Sequence, residues 1–156
     1  MKRVVRLPRP IRFTKEGYDQ VKKKHQDLKD SRPVAVATLS QARAMGDLSE
    51  NGFYKAAKSN LRSIDNEIAR LEHFMKVGVI YESNNNEIGI GSKVTVKSNN
   101  LLTVFQIVGD YEADPKQKKI SLYSPVGHAL AGKRLGDNAT VNTPSGNIGY
   151  KIIKIE

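Results

Sequence analysis

The decapeptide MGDLSENGFY, residues 45–54, separates two long stretches of chain that both have helical periodicity. It holds two carboxylates three residues apart, Asp47 and Glu50, although the whole chain has a formal net charge of +10. Gly46 is a residue type that commonly ends a helix, so the first helix is expected to stop there. The decapeptide is therefore predicted to form the bend of a helical hairpin, with the acidic pair at its tip.

The stretch before the bend has the pattern of a coiled-coil seam. Thr14 is a suitable N-cap for its first turn, which carries Glu16 at the positive end of the helix dipole. Pro33 removes one backbone donor and predicts a kink nearby. The inward positions recur at steps of three and four residues. They are Tyr18, Val21, His25, Leu28, Arg32, Ala35, Leu39 and Ala42.

The stretch after the bend repeats this pattern. Its predicted inward positions are Phe53, Ala57, Leu61, Ile64, Ile68, Leu71 and Met75. Two such helices joined by a short turn are expected to pair in antiparallel orientation. At about 1.5 Å per residue, about 30 residues give an arm of about 45 Å, so the acids are expected at the far end of a long basic rod.

After Lys76 the helical periodicity gives way to short β-rich runs separated by turn formers. The runs are VGVIYE, SKVTVKS, LLTVFQIV, KKISLYS, NATVNT and GYKIIKIE. The segment PVGHALAG, residues 125–132, is a candidate short helix. An Asn-rich linker at residues 82–89 is expected to mark the domain boundary.

These patterns predict an α+β fold. Residues 1–12 are assigned to a basic N-terminal extension, and residues 13–80 to an antiparallel coiled-coil hairpin. The acidic tip of the hairpin is placed at residues 46–51. Residues 81–156 are predicted to form a small antiparallel β domain with one short helix.

The composition excludes several classes of protein. The chain has no cysteine, which excludes a disulfide framework or a thiolate metal site and suits a reducing compartment. No apolar run reaches the roughly 18–20 residues that a membrane span needs. Pro8, Pro10 and the neighbouring arginines interrupt any signal-peptide core. We therefore expect a cytoplasmic protein without membrane contact, and a monomer because the hairpin satisfies its own seam.

Positive charge is concentrated in the first half of the chain. Residues 1–80 contain 17 Lys/Arg and 9 Asp/Glu, whereas residues 81–156 contain 9 and 7. A basic half predicts a polyanionic neighbour, most often nucleic acid or a complex that contains it. The alternative is that the lysines at 22–24 and their neighbours form a solvated helix face. Charge alone leaves both interpretations open.

The acidic pair also has two interpretations. Side chains three residues apart on a helical turn lie on one side, with Cβ atoms about 5–6 Å apart. Mg²⁺ is commonly held by one or two carboxylates together with phosphate oxygens and waters, so the pair suits half of a metal site that another macromolecule completes. Alternatively, Asp47 stabilises an Asx turn, Ser49 caps the second helix and Glu50 favours its dipole.

Three segments carry a family resemblance. They are FTKEGYDQVKKKHQDLK near the start, SRPVAVATLSQARAMGDLSENGFYKAAK through the bend and SPVGHALAGKRLGDNATVNTPSGNIGYKIIKIE at the end. These segments resemble the Gre family of bacterial transcript-cleavage factors over about residues 13–156, and the ARxxGDLSEN motif is specific. The resemblance implies a coiled coil that enters the secondary channel of RNA polymerase and an FKBP-like C-terminal domain that docks on the polymerase.

The resemblance also implies a role for the tip residues. Asp47 and Glu50 match the family's tip carboxylates, which help to hold a second Mg²⁺ when polymerase cleaves the nascent RNA 3′ end in backtracked complexes. The protein would then assist the polymerase and would not itself be an enzyme. Ser49 and Asn51 are implied tip-support residues, and Tyr54 either contacts RNA or packs at the hairpin neck. Candidate contacts to RNA or to the channel wall are Arg43, Lys55 and Lys58.

In the C-terminal half, the resemblance extends to candidate polymerase-docking residues. They are Ser124, Pro125, Gly132, Lys133, Gly136 and Asp137. The alternative assigns them to turns and caps of the β domain. An FKBP-like domain also raises peptidyl-prolyl isomerase activity, but this half has no Trp and one Phe for an aromatic pocket, and fold likeness is weak evidence for activity.

The chain departs from the family directly after the motif, where Gly52-Phe53 replaces the usual Ala-Glu. The change removes an acid, and Gly52 loosens the first turn of the second helix by up to about 1 kcal/mol relative to Ala. Two other functions stay open. One is a secondary-channel regulator that binds polymerase without promoting cleavage, and the other is a free-standing RNA-binding hairpin with strong salt dependence.

Overall fold

The computed structural model describes residues 10–45, 52–84, 86–144 and 146–156, which fold as an α+β protein. The elements in chain order are β1 (Ile11–Phe13), α1 (Lys15–Ala44), α2 (Gly52–Val77), β2 (Gly78–Ile80), β3 (Lys93–Ser98), β4 (Leu101–Val108), a 3₁₀ turn (Pro115–Gln117), β5 (Lys119–Ser121), α3 (Pro125–Leu130), β6 (Asn138–Thr143) and β7 (Gly146–Ile155).

The described residues form two compact units. The helical unit is Asp19–Val77, and the β unit combines residues 10–18 with Gly78–Glu156. The α+β class predicted from periodicity is confirmed. The domain boundaries of 13–80 and 81–156 stay a prediction. The helical unit is a few residues shorter at each end than the predicted range 13–80.

The two long helices pair in antiparallel orientation, as predicted. Lys24 Nζ lies 2.7 Å from Glu67 Oε1, and Arg32 Nε lies 2.6 Å from Asp65 Oδ1, so the later residue of α1 meets the earlier residue of α2. Hydrogen bonds from Arg70 and then Lys24 lower the pKa of Glu67 to about 2. The predicted polar seam residue Arg32 is therefore held by an ion pair between the helices, and Glu67 pairs both across the hairpin and along α2. α1 is a single helix that includes Pro33.

Tyr54, and not Phe53, begins the seam of α2. Phe53 is 46% exposed, whereas Tyr54 and Leu61 pack against a buried cluster that contains Ala57. Two successive steps of four residues rotate Phe53 by about 80° away from Leu61, because each residue turns the helix by about 100°. The inward assignment of Phe53 is therefore wrong. Phe74, which the spacing did not select, is buried.

The β unit contains a five-stranded sheet in the order β5-β4-β3-β7-β6. Neighbouring strands are antiparallel except β4 and β5, which run parallel. The sheet therefore departs from the predicted antiparallel form at one edge, because the 3₁₀ turn carries the chain back before β5 begins. One side packs into the core with α3; the fully buried members of this core are Ile88, Val94, Val96, Ile107, Leu130, Ala139 and Ile152.

Two segments at the predicted domain boundaries take part in the β unit. Residues 11 and 12, assigned to the N-terminal extension, lie in β1, which pairs in parallel with β2. Ile88, assigned to the Asn-rich linker, is buried, and its backbone exchanges hydrogen bonds with Gly132 and Lys133. A three-residue strand and a single buried side chain carry too little periodicity to be recognised from the sequence.

The start of α1 is anchored within the β unit. Thr14 caps the helix as predicted, since its hydroxyl accepts a hydrogen bond of 3.0 Å from the Gly17 amide. The Thr14 backbone amide and hydroxyl both donate to the carboxylate of Glu112. A Cβ at Gly17 would collide with that carboxylate, so the absence of a side chain at Gly17 lets Glu112 reach Thr14.

Candidate functional site

The candidate site is the connection between α1 and α2. The first helix ends at Ala44 and the second begins at Gly52, so the connection spans seven residues and contains the acidic motif. Asp47, Ser49, Glu50 and Asn51 lie outside the described residues. Their roles as metal ligands and tip support therefore stay predictions.

The helix ends on both sides of the connection are held together by a small apolar cluster. Leu39 and Ala42 of α1 and Ala57 of α2 are buried, with Tyr54 packed against them. Alanine side chains let two helices approach closely, because only a methyl group separates the backbones. The hairpin therefore stays paired to within one turn of the residues that flank the motif.

Tyr54 lies between cationic side chains as well as against the cluster. The Arg43 guanidinium carbon and the Lys58 ammonium each lie 6.0 Å from the centre of its ring. Cations at this distance are attracted to the face of an aromatic ring. Of the two predicted roles for Tyr54, the structure provides the packing role, and contact with RNA stays a prediction.

The predicted RNA contacts Lys55 and Lys58 lie on one face of α2. They border an open depression of about 240 Å³ together with Ser59 and Arg62. Arg62 was not selected from the sequence, although its spacing of seven and four residues from Lys55 and Lys58 is the helical signal that could have found it. Three cations on one helix face near the motif form a surface suited to phosphate groups.

The predicted docking residues around α3 have clear structural roles. Ser124 caps α3, since its hydroxyl accepts from the Gly127 amide at 3.0 Å and donates to the Ser121 carbonyl, and Pro125 fills the first helical position. Gly132 and Gly136 have positive φ angles of 68° and 88°, which favour glycine.

The remaining docking candidates also support turns of the β unit. Asp137 accepts a hydrogen bond of 2.8 Å from the Arg134 amide, and the Lys133 carbonyl accepts from the Ile88 amide. These contacts match the structural alternative named above. A role of the same residues in docking stays a prediction.

Tyr123, which the sequence did not single out, precedes the cap of α3. Its side chain is 72% exposed, and the Arg12 guanidinium carbon lies 4.8 Å from the centre of its ring. Arg12 is in turn held by Asp110 at 3.2 Å. No periodic pattern in the sequence selects Tyr123, so its exposure beside the docking candidates is known only from the structure.

Two negative findings apply to the described ranges. No group of three or more His, Asp or Glu side chains in them is arranged to hold a metal ion. No helix in the same ranges is both long and apolar enough to cross a bilayer.

Comparison with known families matches nearly the whole chain. Residues 11–80 match the family described as "Transcription elongation factor, N-terminal", and residues 83–156 match "Transcription elongation factor, GreA/GreB, C-term". The chain is 38% identical to transcription elongation factor GreA of Thermoanaerobacter pseudethanolicus over 96% of its own length and 99% of the relative's. It is 40% identical to GreA of Neisseria meningitidis serogroup B, and the match covers 93% of this chain and 96% of the relative.

Solved structures of related proteins include GreA factor homolog 1 (Gfh1) of Thermus thermophilus. The two sequences are 29% identical, the match covers 95% of this chain and 99% of the Gfh1 chain, and the TM-score is 0.45. A second structure of the transcription factor Gfh1 has 28% identity, 96% and 99% coverage and a TM-score of 0.48.

The two family matches and the GreA relatives span both units and agree with the motif that joins the helices. The chain belongs to the GreA/GreB family of transcription elongation factors.

Proposed function

We propose that this chain binds bacterial RNA polymerase and stimulates cleavage of the RNA 3′ end in backtracked, arrested elongation complexes. The observation that supports the proposal is that two paired helices converge on a short connection that contains Asp47 and Glu50. A narrow hairpin can carry two carboxylates into a channel that a globular domain cannot enter. The C-terminal β unit would provide docking on the polymerase as an FKBP-like domain.

The donor set at the tip suits Mg²⁺. Asp47 and Glu50 offer hard oxygen ligands, and one or two carboxylates are the usual protein contribution to a magnesium site. When bound between factor and polymerase, the ion would stabilise charge on the oxygens of the phosphodiester. Two carboxylates make a weak site by themselves, so the factor lends ligands and the polymerase completes the site. The factor is therefore not an enzyme in isolation.

The cationic side chains near the motif have a distinct role in this proposal. Arg43, Lys55 and Lys58 are exposed, and Arg62 extends their surface along α2. Their charge would attract the phosphates of the extruded RNA and offset the repulsion between RNA and the acidic tip. The positive hairpin and the negative motif are then complementary parts of one site.

The test uses a backtracked elongation complex with 3′-labelled RNA, Mg²⁺ and polymerase from the protein's own species. The variant Asp47→Ala/Glu50→Ala should bind polymerase as the wild type does and lose most of the stimulated cleavage, by about 100-fold or more, because groups that stabilise developing charge typically contribute that much. The matched control is Asp27→Ala/Asp30→Ala, which removes two exposed acids of the same spacing from the middle of α1. The control should cleave at the wild-type rate.

Two other results separate the alternatives. If the wild type binds polymerase but promotes no cleavage, the protein is a secondary-channel regulator and the cleavage role is wrong. If it binds RNA alone with strong salt dependence and does not bind polymerase, the proposed partner is wrong.

A further inference from the structure

The sheet of the β unit has an exposed face opposite its core. Successive residues of a strand point to opposite sides, so the neighbours of buried Val94 and Val96 point outwards. We call this surface the outer sheet face. It consists of Lys93, Thr95, Lys97, Leu102, Val104, Gln106, Lys151 and Lys154.

Positive charge is concentrated on the outer sheet face. It holds four of the nine Lys/Arg of residues 81–156. Glu156 lies beside these lysines, and its carboxylate lies 2.8 Å from Lys154 Nζ. A hydrogen bond and the charge of Lys154, with a smaller contribution from Lys93, lower the pKa of Glu156. The face therefore keeps an excess of positive charge after this ion pair is counted.

Lys97 and Lys151 form an unfavourable pair within that face. They lie directly opposite each other on β3 and β7, and both are exposed. Like charges at opposed positions of antiparallel strands destabilise a sheet. Within the described part of the chain, no carboxylate forms an ion pair with either lysine. An acidic partner placed over the two lysines would relieve this repulsion.

The same face exposes aliphatic side chains. Leu102 is 64% exposed and Val104 is 51% exposed, and they lie on β4 beside Lys97 and Thr95. Exposed apolar side chains that adjoin one another and are surrounded by polar residues are typical of interaction surfaces. The combination fits a protein surface that carries both acidic and aliphatic side chains.

A nucleic acid fits the outer sheet face less well. Single strands are commonly held by stacking of bases on aromatic side chains, and this face has none among its residues. A duplex backbone would satisfy the lysines through its phosphates, but it would leave Leu102 and Val104 without a role. The observations therefore favour a protein partner.

We propose that the outer sheet face is a docking surface for an acidic, aliphatic segment of RNA polymerase. This inference rests on the proposed function, because it takes the polymerase as the partner. The surface is distinct from the predicted docking residues around α3, since α3 packs against the core on the opposite side of the sheet. The β unit would then contact the polymerase on two sides.

The test measures the affinity of the full-length chain for core RNA polymerase. The variant Lys97→Glu/Lys151→Glu should raise the Kd by about 10-fold or more, because two attractive contacts become repulsive. The variant keeps like charges opposite each other, so its thermal stability should match that of the wild type. The matched control Lys116→Glu/Lys118→Glu makes the same charge change at the exposed 3₁₀ turn and should alter the Kd by less than about 2-fold.

A second variant tests the apolar part of the surface. Leu102→Ala/Val104→Ala should raise the Kd by about 3- to 10-fold, and the loss should persist at high salt because it does not depend on charge. A loss that disappears at high salt would contradict the aliphatic contact.

Three outcomes decide the inference. If the wild type binds polymerase and the Lys97→Glu/Lys151→Glu variant binds equally well, the inference is overturned while the proposed partner stands. If that variant keeps its polymerase affinity but loses affinity for a labelled 20-base-pair DNA duplex, the face takes phosphates and protein docking is overturned. If the wild type fails to bind polymerase, the proposed function fails, and this inference fails with it.

Discussion

The helical unit and the β unit are stabilised in different ways. The core of the β unit contains large side chains that are removed from water, such as Ile107 and Leu130. The buried cluster of the helical unit near the bend contains one leucine, Leu39, and two alanines, and elsewhere ion pairs such as Arg32–Asp65 join the helices. Leu71 and Phe74 of α2 are also buried, but two paired helices leave most of their surface in water. The hairpin therefore relies more on contacts that water and salt can weaken.

The largest expected effect tests this difference with one substitution in each unit. Leu130→Ala should lower the free energy of unfolding by about 2–5 kcal/mol, because it leaves a cavity in a closed core. Leu61→Ala in the hairpin should cost less, because Leu61 is already partly exposed and water can fill the space. Urea unfolding combined with hydrogen exchange in each unit measures both. Equal losses in the two units would contradict the comparison.

The second prediction concerns the start of α1, which belongs to the β unit. Thr14→Ala should destabilise the fold by about 1 kcal/mol, because the Gly17 amide loses its acceptor and Glu112 loses a donor. Hydrogen exchange of residues 15–18 should rise while exchange in the middle of α2 stays unchanged. Thr14→Ser keeps the hydroxyl and is the matched control. If Thr14→Ser is as damaging as Thr14→Ala, the hydrogen bonds are not what Thr14 supplies.

The smallest effect concerns the ion pairs of the hairpin. The pKa of Glu67 is lowered to about 2, so its charged form stabilises the folded state above the unfolded value of 4.5. That contribution is lost as the pH falls from about 4.5 to about 2. Glu67→Gln should cost roughly 0.5–1 kcal/mol at pH 7, because the pair is partly exposed.

The pH dependence provides the measurement. The difference in unfolding free energy between wild type and Glu67→Gln should shrink from pH 5 to pH 2, and it should also decrease with added salt. Glu87→Gln, an exposed position in the β unit, should show no comparable difference. A difference that is independent of pH would show that packing, and not charge, is responsible.

The sequence predicted most of the helical unit because its contacts repeat locally. Steps of three and four residues identified the seam, the antiparallel pairing and the position of the bend. The failure at Phe53 occurred at the end of the pattern, where a residue has neighbours on one side only. Tyr54 is partly buried, and with it as the first seam residue the steps to Ala57 and Leu61 are three and four residues. Phe53 would make both steps four residues long.

The candidate site could be predicted only in part. The motif around Asp47 and Glu50 and the cations at Lys55 and Lys58 are visible in the chain because they are close in sequence. Arg62 could have been found from its helical spacing. Tyr123 could not, because its exposure and its contact with Arg12 join residues more than 100 positions apart.

The sequence by itself determined the fold class, the hairpin and the acidic motif that places this chain among elongation factors. The tertiary structure decided which carboxylate holds the Thr14 cap, which side of the sheet is covered and which lysines face each other. The physical reason is distance along the chain. Helix contacts recur within one or two turns, whereas Glu112 reaches Thr14 and Lys97 meets Lys151 only after the sheet has formed.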